Sequence, residues 1–160
     1  MKKMNKKGFT LIELLAIIVI LAIIAVITVP LILGIIDEAK EKSAVSSVVG
    51  YGKAVELAYS HYQLGTDTTL KKNVSGDSNV VTPDELSSGS YIKLKLSDTE
   101  TIALKVDFSG DKVVCNTANK DNTVSGGKVT LTGCLINGSG SNYVYDNGRG
   151  CKSDGTSCAS

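Results

Sequence analysis

The sequence has little of what marks enzymes and nucleic-acid-binding domains. Its 160 residues include no Trp, one His and two Pro, with 17 basic against 16 acidic side chains. Nucleic-acid-binding domains usually carry a basic excess, so we expect no nucleic-acid partner. No nucleophile paired with a base, no P-loop and no dinucleotide fingerprint occurs, and we predict no enzymatic activity, cofactor or metal. The single histidine, His61, is interpreted as a solvated residue near a helix end, where its charge suits the helix dipole.

Charge is also absent from one long stretch. Residues 14–36 contain no charged side chain, and only Thr28, Pro30 and Gly34 interrupt their apolar composition. A helix crosses a bilayer with about 20 apolar residues, so this stretch is long enough to span. Such a run also excludes a disordered chain. The four lysines of residues 1–8 should remain cytoplasmic, which places the carboxyl-terminal part outside.

A secretory signal peptide or a plain membrane anchor would account for the apolar stretch alone. A signal peptide has an apolar core of roughly 7–15 residues before an Ala-x-Ala-like cleavage site. This stretch is longer and is not followed by such a cleavage site. A plain anchor does not explain Glu13. A carboxylate at the centre of a membrane helix costs on the order of 2.5–3.5 kcal/mol, and less near the interface. Glu13 therefore indicates a function or a partner.

The residues around Glu13 form a specific motif. Residues 6–15 read KKGFTLIELL, which is a basic leader, then Gly8, Phe9 and Thr-Leu-Ile-Glu, then an apolar helix. This segment resembles the class III signal of type IV prepilins and the related pseudopilins. The resemblance implies that a prepilin peptidase cleaves between Gly8 and Phe9, removes residues 1–8 as a cytoplasmic leader, and exposes the amino group of Phe9 for N-methylation. Removing four of the 17 basic residues would leave mature side chains with 13 − 16 = −3 charges.

The resemblance also implies an assembly role for Glu13. This carboxylate would face the positively charged amino terminus of a neighbouring subunit, and in a low-dielectric helix bundle such a pair offsets the cost of burying the charge. Pro30 then lies where many pilins have a proline. Proline removes a helix hydrogen bond and Gly34 weakens the same stretch, which predicts local flexibility. The alternative is that transmembrane helices tolerate both residues for packing reasons.

The rest of the chain predicts an α+β fold similar to that of pilins. Residues 9–36 form the transmembrane and assembly part of one long helix, and residues 37–64 continue it with an apolar stripe at three- and four-residue steps. Gly50 and Gly52 inside this stripe suggest the close approach of a sheet. Residues 65–90 are rich in Thr, Ser, Asp, Asn and Gly, and they are expected to form a variable loop.

From residue 91 the apolar pattern changes to a period of two, which is typical of strands. We predict an antiparallel sheet of about four strands within residues 91–160, with the carboxyl-terminal half of the long helix covering one face. All four cysteines of the chain lie in this disulfide-bearing carboxyl-terminal region.

Four cysteines in a small domain outside the membrane favour disulfides. A zinc site is the alternative, but no Cys-x2-Cys pair or histidine cluster is present. Three pairings are possible. Neighbouring predicted strands favour a bond between Cys115 and Cys134, and an Asp-Gly turn favours one between Cys151 and Cys158. This pairing is our hypothesis.

These features predict a structural filament subunit, either a type IV pilin or a pseudopilin. Its expected partners are further copies in a helical filament, other pilins, the prepilin peptidase and methyltransferase, the assembly machinery, and membrane lipid before assembly. The precursor would lie in the cytoplasmic membrane and the assembled protein on the cell surface. The alternative is a monomeric, membrane-anchored binding module. The sequence does not separate major from minor subunits, or adhesion from motility, DNA uptake and secretion.

Overall fold

The computed structural model describes residues 9–65, 71–72, 85, 88–98, 100–115, 122–138 and 140–159. The predicted leader with Gly8 and most of the predicted loop at 65–90 lie outside these residues. Helix α1 runs over Leu11–Gln63. The chain divides into two compact units, Met1–Lys40 and Glu41–Ser160.

The long helix ends where the sequence indicates. Gly65 follows it with a φ of 67°, a left-handed conformation that glycine adopts without steric cost. The Gly65 N–H donates to the carbonyl of Tyr62 at 3.0 Å, which satisfies one of the last carbonyls of the helix.

One mixed sheet forms the rest of the carboxyl-terminal unit. The described residues contain seven strands of three or more residues and one strand of two, so the expectation of about four strands was too low. The strands are β1 (Lys71–Lys72), β2 (Tyr91–Lys95), β3 (Thr101–Lys105), β4 (Val113–Cys115), β5 (Asn122–Ser125), β6 (Lys128–Ile136), β7 (Tyr143–Asp146) and β8 (Arg149–Lys152).

The strand order is β1-β3-β2-β5-β6-β7-β8, with β4 beside β6. Every pair is antiparallel except β2 and β5, so the sheet is mixed rather than purely antiparallel. The nine-residue β6 shares one edge between two partners. Its end near Ile136 pairs with β4, and its beginning near Lys128 pairs with β5. A register shift lies between Leu131 and Cys134 on the opposite edge, which pairs with β7.

Within the carboxyl-terminal unit, one stripe of α1 packs on one face of the sheet. Val45, Val48 and Val55 are at most 1% exposed, and they share one core cluster with the inward-facing side chains of the strands. The predicted close approach at the helix glycines is present. A Cβ atom on Gly52 would lie 2.4 Å from the ring of Tyr145, and one on Gly50 would lie 3.0 Å from the ring of Phe108. The α+β fold predicted from the sequence is therefore confirmed.

A buried asparagine on β5 links this strand to β4 by a side-chain hydrogen bond. Asn122 is 2% exposed, and its side-chain amide donates to the carbonyl of Cys115. Its Oδ1 atom accepts from the backbone N–H of Thr132 at 3.0 Å. Because a buried amide without partners would be costly, these bonds explain how a polar side chain is accommodated in this core.

Candidate functional site: the amino-terminal segment

The amino-terminal unit presents an uncovered apolar surface. The large apolar side chains between Phe9 and Ile36 are between 41% and 83% exposed. By length and composition, α1 contains a stretch that is able to cross a membrane. A surface of this size needs lipid or protein to cover it, because monomeric soluble proteins rarely leave so much contiguous apolar area in water.

Glu13 forms a reciprocal pair with Thr10 at the start of this segment. The backbone N–H and the hydroxyl of Thr10 both donate to Oε2 of Glu13, each at 2.8 Å. In return, the backbone N–H of Glu13 lies 3.4 Å from the Thr10 hydroxyl oxygen. This arrangement is a capping box, in which a Ser or Thr and a Glu three residues later satisfy the free N–H groups of a helix start.

The capping box concentrates its donors on one carboxylate oxygen. Both Thr10 donors bind Oε2 of Glu13 rather than Oε1. From the sequence, a role was predicted for Glu13 but not for Thr10. The signal for Thr10 was the Thr-x-x-Glu spacing ahead of an apolar run, which predicts a helix amino terminus independently of any family resemblance.

Pro30 and Gly34 lie within α1 without ending it. Two residues before the proline, the Thr28 hydroxyl donates to the carbonyl of Ile24 at 2.7 Å. Within the part of the chain that the structure describes, a Cβ atom built on Gly34 would meet nothing within 4 Å. No contact in that part of the chain requires glycine there, and the flexibility of this stretch stays a prediction.

The four cysteines form two disulfides, Cys115–Cys134 and Cys151–Cys158, and none is free. Cys115 and Cys134 are register partners on β4 and β6 and are at most 2% exposed. The second bond closes a short loop after β8, in which Cys158 is exposed. These are the two pairs that the strand and turn positions favoured.

The single histidine and the acidic side chains are the remaining groups considered from the sequence. His61 lies exposed in the last turn of α1. Among the residues that the structure describes, no group of three His, Cys, Asp or Glu side chains is arranged to hold a metal ion.

Comparison with known families is consistent with the geometry of the helix start. Residues 3–29 match the family described as the prokaryotic N-terminal methylation motif. The chain carries the class III signal of type IV pilins. No curated protein and no solved structure matches the chain with significant similarity.

The methylation motif covers Phe9, the capping box and most of the apolar segment. The motif supports a precursor of the type IV pilin or pseudopilin type and fits a structural role. Together with the apolar helix, the motif also fits a precursor that is anchored in a membrane.

Proposed function

We propose that this protein is a structural subunit of a type IV pilus or a related pseudopilus filament. The observation that carries the proposal is the exposed apolar segment of α1, which begins at a methylation motif and contains one carboxylate. Lipid covers this surface in the precursor, and the helices of neighbouring subunits cover it in the filament.

Processing prepares the amino terminus for this exchange. A prepilin peptidase cleaves between Gly8 and Phe9, which removes four lysines from the cytoplasmic side. Methylation of the new Phe9 amino group leaves it positively charged. Without the leader, the apolar segment no longer carries the cluster of cations that would oppose its withdrawal through the bilayer.

Glu13 then selects the position of the incoming subunit. Thr10 supplies two donors to Oε2, so the carboxylate is partly satisfied while it lies in lipid. Oε1 accepts a hydrogen bond from the charged amino group of Phe9 in a neighbouring subunit. In an apolar helix bundle, leaving that charge unpaired is strongly unfavourable, so only a correctly staggered neighbour is retained.

Pro30 and Gly34 allow the helix to adapt between lipid and the filament. Proline removes one backbone hydrogen bond, and glycine has the lowest helix propensity after proline. Local straightening or melting between these residues lets each subunit adjust its packing against its neighbours. Extraction from the membrane requires an assembly complex and other pilins, which are the remaining expected partners.

Substitution of Gly8 and Glu13 tests this proposal. The matched control is Glu100→Gln, which removes a charge from an exposed position between β2 and β3. Mass spectrometry of the amino terminus reports cleavage and methylation, and electron microscopy with an antibody to residues 66–160 reports surface filaments. Gly8→Val should leave the leader attached and abolish filaments. Glu13→Gln should leave cleavage intact and reduce filaments, whereas Glu100→Gln should change neither.

Two outcomes would contradict the proposal. Normal filaments from Gly8→Val would show that processing is not required. A wild-type protein that is displayed on the surface without filaments would favour a monomeric, membrane-anchored module instead.

A further inference from the structure

The carboxylate of Glu41 holds both arms of the carboxyl-terminal disulfide loop. Glu41 lies on α1, and its Oε1 atom pairs with the ammonium of Lys152. Its Oε2 atom accepts a hydrogen bond from the hydroxyl of Ser157 at 3.2 Å. Lys152 directly follows Cys151, and Ser157 directly precedes Cys158. One side chain of the helix therefore contacts the neighbour of each cysteine.

The loop that Glu41 holds has its own hydrogen-bonded structure. The backbone N–H of Lys152 donates to the carbonyl of Thr156 at 3.0 Å, and that of Gly155 donates to the carbonyl of Lys152 at 2.8 Å. Asp154 accepts from the backbone N–H of Thr156 at 2.9 Å and from its hydroxyl at 2.5 Å. These bonds hold the two arms close together, and one carboxylate contacts both of them.

A close contact between the helix and β8 places the loop next to Glu41. Gly150 packs against Val45 and Val49, and a Cβ atom at this glycine would come within 2.7 Å of the Val49 side chain. Gly150 and Ala159 exchange two backbone hydrogen bonds, of 2.7 and 2.8 Å, which close the base of the loop. Val45 follows Glu41 by one helical turn, so the base of the loop and its two arms contact adjacent turns of α1.

The two disulfides differ in accessibility. Cys115 and Cys134 are 2% and 0% exposed, whereas Cys158 is exposed and Cys151 is partly exposed. Thiol–disulfide exchange requires that a thiolate reach a sulfur atom, so an external thiol attacks the carboxyl-terminal bond first.

We propose that Glu41 acts as a latch that makes the Cys151–Cys158 disulfide harder to reduce. The Glu41 contacts require the closed spacing of the two arms. A contact that exists only in the closed loop stabilises the disulfide relative to the dithiol. The physical reason is the same as for a ligand, which stabilises the state that it binds. Reduction of this bond would allow the arm that carries Ser157 to move away from Glu41, whereas Lys152 stays paired with β7, and the latch opposes that movement.

The measured quantity is the equilibrium constant of each disulfide with glutathione. Reduction of one protein disulfide consumes two glutathione thiols and yields two protein thiols and one glutathione disulfide, so protons and electrons balance. The full chain in detergent micelles is equilibrated with glutathione mixtures at pH 7. Alkylation and mass spectrometry then report the reduced fraction of each cysteine pair. The Cys115–Cys134 pair is an internal control for global unfolding.

Glu41→Gln should increase the equilibrium constant for reducing Cys151–Cys158 by about two- to five-fold, the range that a partly exposed ion pair supports. Lys152→Gln removes only the ion pair and leaves the Ser157 contact, so its effect should be no larger. The double variant should be less than additive, because both single variants remove the same ion pair. Glu100→Gln, with the same loss of charge elsewhere, should leave both constants unchanged.

An unchanged Cys151–Cys158 constant in Glu41→Gln would overturn the latch. A parallel rise for Cys115–Cys134 would also overturn it, because the effect would then be general destabilisation. The glutathione measurement does not require filaments. A result that contradicts the latch can therefore be distinguished from one that contradicts the proposed function.

Discussion

The ring of Tyr145 lies directly against Gly52, where a Cβ atom would come within 2.5 Å of three ring atoms. Tyr145 is fully buried on β7, and Gly52 is buried on the face of α1 that meets the sheet. The absence of a side chain at one helix position therefore sets how closely the helix approaches the sheet in the carboxyl-terminal unit.

Gly52→Ala should destabilise the carboxyl-terminal unit despite the higher helix propensity of alanine. The added methyl group must displace a buried ring, and such overpacking typically costs about 1–3 kcal/mol, whereas the gain in propensity is about 1 kcal/mol. Urea denaturation followed by circular dichroism measures the net change. Gly140→Ala is the control, because a Cβ atom there meets nothing within 4 Å. Equal stability of the two variants would show that the ring moves aside freely.

Removal of the two disulfides should have unequal effects. The bonds close loops with sequence separations of 19 and 7 residues. In the chain-entropy model, such loops correspond to about 3 and about 2 kcal/mol of stabilisation. We therefore expect that substituting Cys115 and Cys134 by alanine lowers the free energy of unfolding more than substituting Cys151 and Cys158 does. Denaturation under non-reducing conditions measures both, and the reverse order would contradict this prediction.

The long helix and the signal at its start were predictable from the sequence because the residues that specify them are local. Length, lack of charge and the motif around Glu13 lie within one contiguous segment, and periodicity identified the stripe that includes Val45 and Val48. The disulfide pairing was predictable from the sequence for a similar reason. Cys115 and Cys134 lie near strong strand patterns, and the short loop between Cys151 and Cys158 contains its own turn signal.

The mixed sheet was not predictable because its decisive contacts are long-range. The strand β5 begins with the buried polar Asn122, whose partners are the backbones of Cys115 and Thr132, so its apolar pattern is weak. The strand β8 contains Gly150, which has no side chain to contribute to a pattern. The contact of Glu41 with Lys152 joins residues separated by 111 positions, and no local rule pairs them.

Thr10 should matter for filament assembly through its effect on Glu13. Thr10→Ala removes the hydroxyl that donates to Oε2 and leaves the carboxylate with one donor in a membrane environment. Loss of a capping side chain typically costs about 0.5–2 kcal/mol. We expect fewer filaments per cell by electron microscopy, with normal cleavage by mass spectrometry. Thr10→Ser keeps the hydroxyl and should restore filaments. If Thr10→Ser were as defective as Thr10→Ala, the methyl group rather than the hydrogen bond would be responsible.

The contribution of Glu41 to stability should depend on pH with a defined sign. Hydrogen bonds from Lys152 and Ser157 hold the pKa of Glu41 below its ordinary value of 4.5, against the opposing effects of desolvation and of the charge of Asp154. Because the folded pKa is the lower one, the stabilisation is fully present above the unfolded value and is lost as pH falls through the folded pKa. The same pair raises the pKa of Lys152 above its ordinary value of 10.5, with smaller contributions from Asp154 and Tyr143. On the alkaline side the stabilisation is therefore lost as pH rises through the folded pKa of Lys152.

The difference in unfolding free energy between the wild type and Glu41→Gln should be largest in the pH range in which Glu41 and Lys152 are both charged. It should be constant around pH 6–8 and should shrink as the pH falls below the ordinary glutamate value of 4.5. High salt should also reduce it, because the side chains of Lys152 and Glu41 are 28% and 36% exposed and the pair is partly screened. Urea titrations at several pH values measure the difference, and a carboxyl-carbon NMR titration of Glu41 measures its pKa directly. A difference that stays constant down to pH 2 would show that Glu41 stabilises the fold through packing rather than through its charge.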